Sequence, residues 1–236
     1  MRIDVAPTPR EFNGADSDTA VIIIDVFRAS STIATALANG ARFVLPTADV
    51  EQAVKLAAPY GKSEALLGGE RECIRIEGFD LGNSPREYAP ETVGGKVVIL
   101  TTTNGTNALF AARDAGAVYV GCFLNFSAVA RAVGEWPNVS VLCAGNEGRL
   151  SLEDYICAGG FVARLAKKSS ALNDAALAAR AAYQSVEAAL PKFLLSSGHA
   201  RRLAGLGFRS DLDLALKLDT VPVVPQFKDG RIDVLQ

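Results

Sequence analysis

The chain of 236 residues has one histidine, one tryptophan and one methionine, and only 7% of its residues are aromatic. A single imidazole, His199, excludes histidine-rich zinc sites and hydrolytic mechanisms that need two imidazoles. No G-x-S-x-G elbow supports a Ser-His-Asp arrangement around it, and no G-x-x-x-x-G-K-[ST] stretch offers a P-loop. Cys73, Cys122, Cys143 and Cys157 form no C-x-x-C pair. Such spacing points to reduced thiols and a cytoplasmic location, with Cys122 and Cys143 as small buried hydrophobes. An excess of charge of either sign is missing: 24 basic against 26 acidic side chains leave −2. With no basic block and no aromatic-basic interleaving, neither nucleic acid nor a membrane surface is expected as a partner. No stretch is apolar for long enough to span a bilayer, and Met1–Val5 reads as a strand rather than a leader.

What is present is an alternation of strand-like and helix-like segments, the pattern of an α/β fold: a layered sheet flanked by helices. Strands are expected at Arg2–Val5, Ala20–Asp25, Phe43–Pro46, Ala65–Gly69, Val97–Thr101, Val118–Gly121 and Val139–Cys143. Helices are expected at Ser31–Asn39, Ala48–Tyr60, Asn104–Ala112, Asn125–Val133 and Glu153–Lys167, with stops at Asn39-Gly40, Tyr60-Gly61 and Ala115-Gly116. A further helix over Asn173–Leu195 should kink near Pro191, and a short helix and a closing strand around Val221–Pro225 should follow. The Gly68–Pro90 segment fits neither pattern, and its interleaved Ile74, Ile76, Phe79 and Leu81 suggest an ordered loop packed on the body. No repeat, low-complexity tract or linker divides the chain, so one domain over 1–236 is expected. Helices such as Ala175–Ala189 carry apolar residues compatible with a homodimer.

The richest chemistry sits in residues 21–37. The apolar run Val21–Ile24 stops at Asp25, followed by Arg28 and the hydroxyls of Ser30, Ser31 and Thr32. Carboxyl ends of parallel strands open onto ligand crevices, and helix starts offer free N–H groups to anions. Asp25 is thus a candidate metal ligand and Arg28 an anion clamp. Residues 95–109 repeat the design, with Thr101, Thr102, Thr103, Asn104 and Gly105 between a strand and a helix. Taken singly, such residues are ordinary strand ends and caps; two matched segments favour a shared anion site. Between them, residues 68–85 bring Glu70 and Asp80 as hard oxygen ligands for Mg²⁺, Arg71 and Arg75 as forks for anions, and Asn83 and Ser84. Asn125 reads as an N-cap with a ligand contact as an extra. Glu153 and Asp154 follow a Ser151 cap and are further candidates for the metal; being adjacent on a helix, at most one is expected to face a site. An aspartyl-phosphate mechanism of the haloacid dehalogenase type would want a second acid two residues after Asp25, where Phe27 stands.

Ile24-Asp-Val-Phe-Arg-Ala-Ser-Ser-Thr, Gly69-Glu-Arg, Gly78-Phe-Asp-Leu-Gly-Asn-Ser-Pro, Thr101-Thr-Thr-Asn-Gly-Thr, Phe123-Leu-Asn and Leu152-Glu-Asp occur in that order. In these motifs the chain resembles the 2-phosphosulfolactate phosphatases (the ComB family). The resemblance implies a ComB-like α/β fold and Mg²⁺-dependent hydrolysis of (R)-2-phospho-3-sulfolactate to (R)-3-sulfolactate and phosphate, as in coenzyme M biosynthesis. With that substrate, Asp25, Arg28 and Glu70 are the expected catalytic group. Asp25 with Glu70 or Asp80 would hold Mg²⁺, and attack would come from water or from Asp25 itself. Another small 2-phospho-acid as substrate, or a non-catalytic anion binder, are the alternatives.

Overall fold

Val21, Ile22, Ile23 and Ile24 are all fully buried, so this run has an apolar layer on each side, as the continuous hydrophobicity of a central parallel strand requires. It forms β2 (Thr19–Ile24), hydrogen-bonded in parallel to β7 (Ala117–Gly121) and β8 (Asn138–Cys143). The computed structural model describes residues 1–61 and 63–235. Its remaining strands are β1 (Arg2–Ala6), β3 (Phe43–Thr47), β4 (Ala65–Arg71), β5 (Ile74–Arg75), β6 (Val97–Thr101), β9 (Ala171–Leu172), β10 (Pro225–Lys228) and β11 (Arg231–Val234). The helices are α1 (Ala29–Ala38), α2 (Val50–Ala57), α3 (Pro90–Val93), α4 (Gly105–Ala111), α5 (Phe126–Val133), α6 (Leu152–Leu165), α7 (Asp174–Val186), α8 (Leu190–Leu194), α9 (Gly198–Gly205) and α10 (Arg209–Ala215).

All strands join one mixed sheet in the order β5-β4-β6-β3-β11-β10-β7-β2-β8-β1-β9. Two parallel blocks, β4-β6-β3 and β7-β2-β8-β1-β9, are bridged by the hairpin β10–β11, which is antiparallel to β7 on one side and to β3 on the other. The two blocks therefore run in opposite directions along the sheet. Alternation along β2 divides the core. Ala20, Ile22 and Ile24 pack with Phe126 of α5 and Phe161 of α6. Val21 and Ile23 share a second core with Val98 and Leu100 of β6, Ile33 and Leu37 of α1, and Ala108 and Leu109 of α4. Because this second core draws on both blocks, the turns after β2 and β6 come together although their blocks are opposed.

Each of the seven expected strands is present to within a residue or two. The closing strand is displaced: Val221–Val224 precedes β10, and the chain ends in a hairpin whose turn is Asp229-Gly230, both with positive φ. That dipeptide between alternating residues is the two-residue hairpin signature that places β10 and β11. The long helix is interrupted at Glu187–Ala189, ahead of Pro191, which sits in the first turn of α8, where its missing N–H costs nothing. The short C-terminal helix resolves into α9 and α10. The 68–90 segment is ordered, with Phe79 and Leu81 buried but Ile74 exposed. All four cysteines are unpaired, and Cys122, Cys143 and Cys157 are buried. Among the described residues no helix is long and apolar enough to cross a membrane.

A close approach that bears on the site is at Gly105, the start of α4. A Cβ there would lie 2.8 Å from the Ala29 Cβ and 3.0 Å from Asp25 Oδ2. Gly105→Ala is expected to lower the unfolding free energy by about 1–3 kcal/mol, the usual cost of overpacking, despite alanine's better helix propensity. Urea denaturation of the two proteins measures this, and an unchanged midpoint would contradict it.

Candidate active site

Asp25 is set in its turn by reciprocal bonds with the start of α1. Its N–H donates to Ser30 Oγ at 2.9 Å, Ser30 N–H donates to its carbonyl at 2.8 Å, and Ala29 N–H donates to its Oδ1 at 3.2 Å. Its side chain lines a cleft shared with Phe27, Arg28, Glu70, Glu72, Cys73, Asn83, Thr103, Asn104, Asn146, Glu147, His199, Arg202 and Leu203. Glu70, at the end of β4, faces the same cleft with both oxygens anchored: Oε1 accepts Thr103 N–H at 2.9 Å and Oε2 accepts Cys73 N–H at 2.8 Å. Asp25, Arg28, Glu70, Asn83, Thr103 and Asn104 are thus brought together.

Other candidates are placed elsewhere. Ser31 Oγ donates to Val26 O and Thr32 Oγ1 donates to Asn83 O, so these hydroxyls, like that of Ser30, fasten the backbone around Asp25 instead of lining the cleft. Thr101 Oγ1 pairs with Thr47 Oγ1 at 2.6 Å, and Thr102 Oγ1 accepts Thr106 N–H. Ser84 Oγ donates to Asp211 Oδ1 at 2.7 Å. Asn125 is fully buried under Cys122 N–H and Val120 O, closing a turn. Asp80 is exposed and accepts Leu67 N–H, Arg71 reaches Glu70 O and Ala48 O, and Arg75 reaches Asp80 O; none of the three lines the cleft. The common reason is that short polar side chains near strand ends satisfy neighbouring backbone groups first.

Arg28 does reach the cleft, but it is committed. Its Nη1 pairs with Asp211 Oδ2 at 3.0 Å, its Nη2 donates to Cys73 O at 2.7 Å, and the guanidinium stands 4.1 Å from the centre of the Phe208 ring. Glu153 and Asp154 are both buried beside the site, and neither lines the cleft. Asp154 accepts the N–H groups of Val26 and Gly145, which ties α6 to the turns after β2 and β8. Glu153 Oε1 lies 2.7 Å from His199 Nδ1, while its Oε2 is buried without a partner. Sequence reasoning missed His199, Arg202 and Asp211, which arrive on α9 and α10 from far along the chain; being the sole imidazole was the only local signal at His199.

These neighbours shift protonation. Burial raises the Asp25 pKa from 3.8 to about 6; the His199 charge and the Ala29 N–H oppose this, and the charges of Glu70 and Glu153 add to it. Asp154 is pushed well above the usual carboxylate range by burial and then by the Asp25 and Glu153 charges. For His199 burial works downward, but hydrogen bonding to Cys73 and Glu153 and the charges of Glu153 and Asp25 prevail, raising it to about 10.

Four carboxylates (Asp25, Glu70, Glu72 and Glu147) line the cleft against Arg28, Arg202 and His199. Among the described residues no three His, Cys, Asp or Glu side chains gather closely enough to enclose a metal ion. The donor set fits a cation of another kind. Magnesium takes one or two carboxylates and completes its shell with water and phosphate oxygens. Asp25 and Glu70 offer such oxygens, and Asn83 Oδ1 is buried with no partner among the described residues. Asp80 and Asp154 do not line the cleft, so neither belongs to this set.

Strand-end turns of two opposed blocks, converging on a carboxylate-rich cleft, define an α/β enzyme. The family model described as 2-phosphosulpholactate phosphatase matches residues 6–230, and the chain belongs to that family. A relative from Caldanaerobacter subterraneus subsp. tengcongensis is 41% identical over 239 residues, covering all of this chain and 99% of that protein. Others from Clostridium acetobutylicum (41% over 214 residues, 89% of this chain and 90% of that protein) and Thermotoga petrophila (42% over 209 residues, 89% of each) are similar. All three carry the name "Probable 2-phosphosulfolactate phosphatase".

Two measurements probe the electrostatics. Because His199 is the only histidine, its imidazole NMR signal is unambiguous. It should titrate near 10 and move toward 6.5 in Glu153→Gln; its contribution to stability is fully present below pH 6.5 and lost as pH rises through about 10. Asp25 has the same sign over a lower window. The fold keeps its proton where the unfolded chain has lost it, so stability falls as pH rises from 3.8 through about 6. In EDTA, Asp25→Asn should therefore gain stability relative to the wild type across that window; a constant difference would contradict the shift.

Proposed function

We propose that this protein hydrolyses (R)-2-phospho-3-sulfolactate to (R)-3-sulfolactate and phosphate with Mg²⁺, as in coenzyme M biosynthesis. The family match supports the reaction class, and the relatives' names support the substrate. The observation that carries the metal dependence is the cleft's own charge. A substrate bearing phosphate, sulfonate and carboxylate would meet Asp25 and Glu70 at the converging strand ends, and that encounter is repulsive unless a cation joins it.

In this reading Asp25 and Glu70 would hold the ion, which would neutralise them and supply Lewis-acid polarisation of a phosphoryl oxygen. The Asn83 and Asn104 amides orient the ester. Arg28, locked between Asp211 and Cys73 O, provides a fixed positive charge beside it. Water forms the new bond to phosphorus as the ester P–O bond breaks, and the proton it loses passes to solvent, from which His199 is later reprotonated. His199, protonated until about pH 10 and held by Glu153, donates a proton to the departing alkoxide oxygen. Attack by water is favoured over attack by Asp25 because Phe27 occupies the position of the second acid that an aspartyl-phosphate mechanism would use.

Phosphate release from (R)-2-phospho-3-sulfolactate, 2-phospholactate and 2-phosphoglycerate, with Mg²⁺ and with EDTA, tests this. The sulfonated ester should turn over best and only with metal, and Asp25→Asn should lower kcat by about 100-fold or more, the scale of a lost catalytic group. Mg²⁺ should also raise the melting temperature of the wild type and not of Asp25→Asn. A better rate on an unsulfonated ester, or full activity in EDTA, would overturn the corresponding part.

A further inference from the structure

The cleft's three cationic side chains are not equally free. Arg28 is fixed by a buried ion pair with Asp211, a bond to Cys73 O and the Phe208 ring, and His199 by the buried Glu153 carboxylate. Re-aiming either would leave a buried carboxylate uncompensated. Arg202 is different. Among the described residues its one ion-pair partner is Glu147, at 3.1 Å through a single nitrogen, with 43% and 69% of the two side chains exposed. An exposed pair of this kind holds its partners weakly, so an incoming anion displaces it at little cost.

Glu147 is presented in an unusual way. Asn146 N–H donates to Arg149 O at 2.8 Å and Arg149 N–H donates to Asn146 O at 3.0 Å, closing a two-residue turn in which Glu147 has φ 51° and Gly148 φ 73°. Asparagine, aspartate or glycine suits the first of these left-handed positions, and glutamate is strained there. The turn therefore holds a carboxylate at the cleft, against Arg202, in spite of a backbone preference for other residues.

We propose that Arg202 grips the substrate's acid group remote from the phosphate, and that Glu147 is a placeholder which that group displaces. The guanidinium fork matches the oxygens of a sulfonate or a carboxylate. The proposal rests on the phosphatase reading for the choice of ligand alone.

Steady-state kinetics of Arg202→Gln, Arg202→Lys and Glu147→Gln with (R)-2-phospho-3-sulfolactate and 2-phospholactate, together with calorimetric binding of (R)-3-sulfolactate, test it. Arg202→Gln should raise KM for the sulfonated ester by about tenfold or more, the scale of a lost charge-assisted bond, with kcat nearly kept. Arg202→Lys should recover part of the loss, and Glu147→Gln should lower KM. If the gripped group is the sulfonate, 2-phospholactate is unaffected by Arg202→Gln; if it is the carboxylate, both esters suffer alike. An unchanged KM for both esters, an effect confined to kcat, or 3-sulfolactate affinity equal in wild type and Arg202→Gln overturns the role of Arg202. A rise in KM in Glu147→Gln overturns the placeholder. Wild type that binds 3-sulfolactate through Arg202 yet releases no phosphate from either ester overturns the phosphatase reading and leaves the grip standing. Wild type that neither binds nor turns over overturns both.

Discussion

The site depends on one close approach: the turn after β2 pressed against the turn after β6, with Gly105 leaving room for Ala29 and the Asp25 carboxylate. Because the parallel blocks run in opposite directions, sheet pairing alone would not bring these two turns together. The shared core of Val21, Ile23, Val98 and Leu100, filled by α1 and α4, does so. Once the turns touch, the end of β4 follows in register beside β6, with Gly69 opposite Thr101, and Glu70 enters the cleft bonded to Thr103 N–H.

A second consequence is electrostatic. Packing α6 and α9 over the same turns buries Glu153 and Asp154 and places the partly buried His199 near Asp25. Charges forced together in a poorly hydrated place favour the proton on a carboxylate and on an imidazole that bridges carboxylates. Asp25 and His199 are displaced upward for these two different reasons. Acidic groups that repel an anion and a protonated imidazole that attracts one thus occupy one cleft, an arrangement suited to a bound cation and an anionic ester.

Much of the scaffold was legible in the sequence. Buried strands announce themselves by runs such as Val21–Ile24, and helix ends by Asn39-Gly40, because these signals are local. Asp25, Glu70, Asn83, Thr103 and Asn104 were also within reach, as residues at the ends of readable strands or in the polar loop beside them. The hydroxyls of Ser30, Ser31, Thr32, Thr101 and Thr102 illustrate the limit. Their composition is the same whether they bind a ligand or their own backbone, and folding spent them on the backbone and on each other.

By itself the sequence determined the element types, the exclusion of histidine-metal and P-loop chemistry, and the carboxylates that end the strands. Each of these follows from residues within a turn or two of one another. Only the tertiary structure decided that Arg28 is bound to Asp211, 183 residues away, that His199 meets Glu153, and that Arg202 faces Glu147. A charged side chain is defined by the charges around it, and those partners are chosen by how α9 and α10 pack over the strand ends, which no local pattern records.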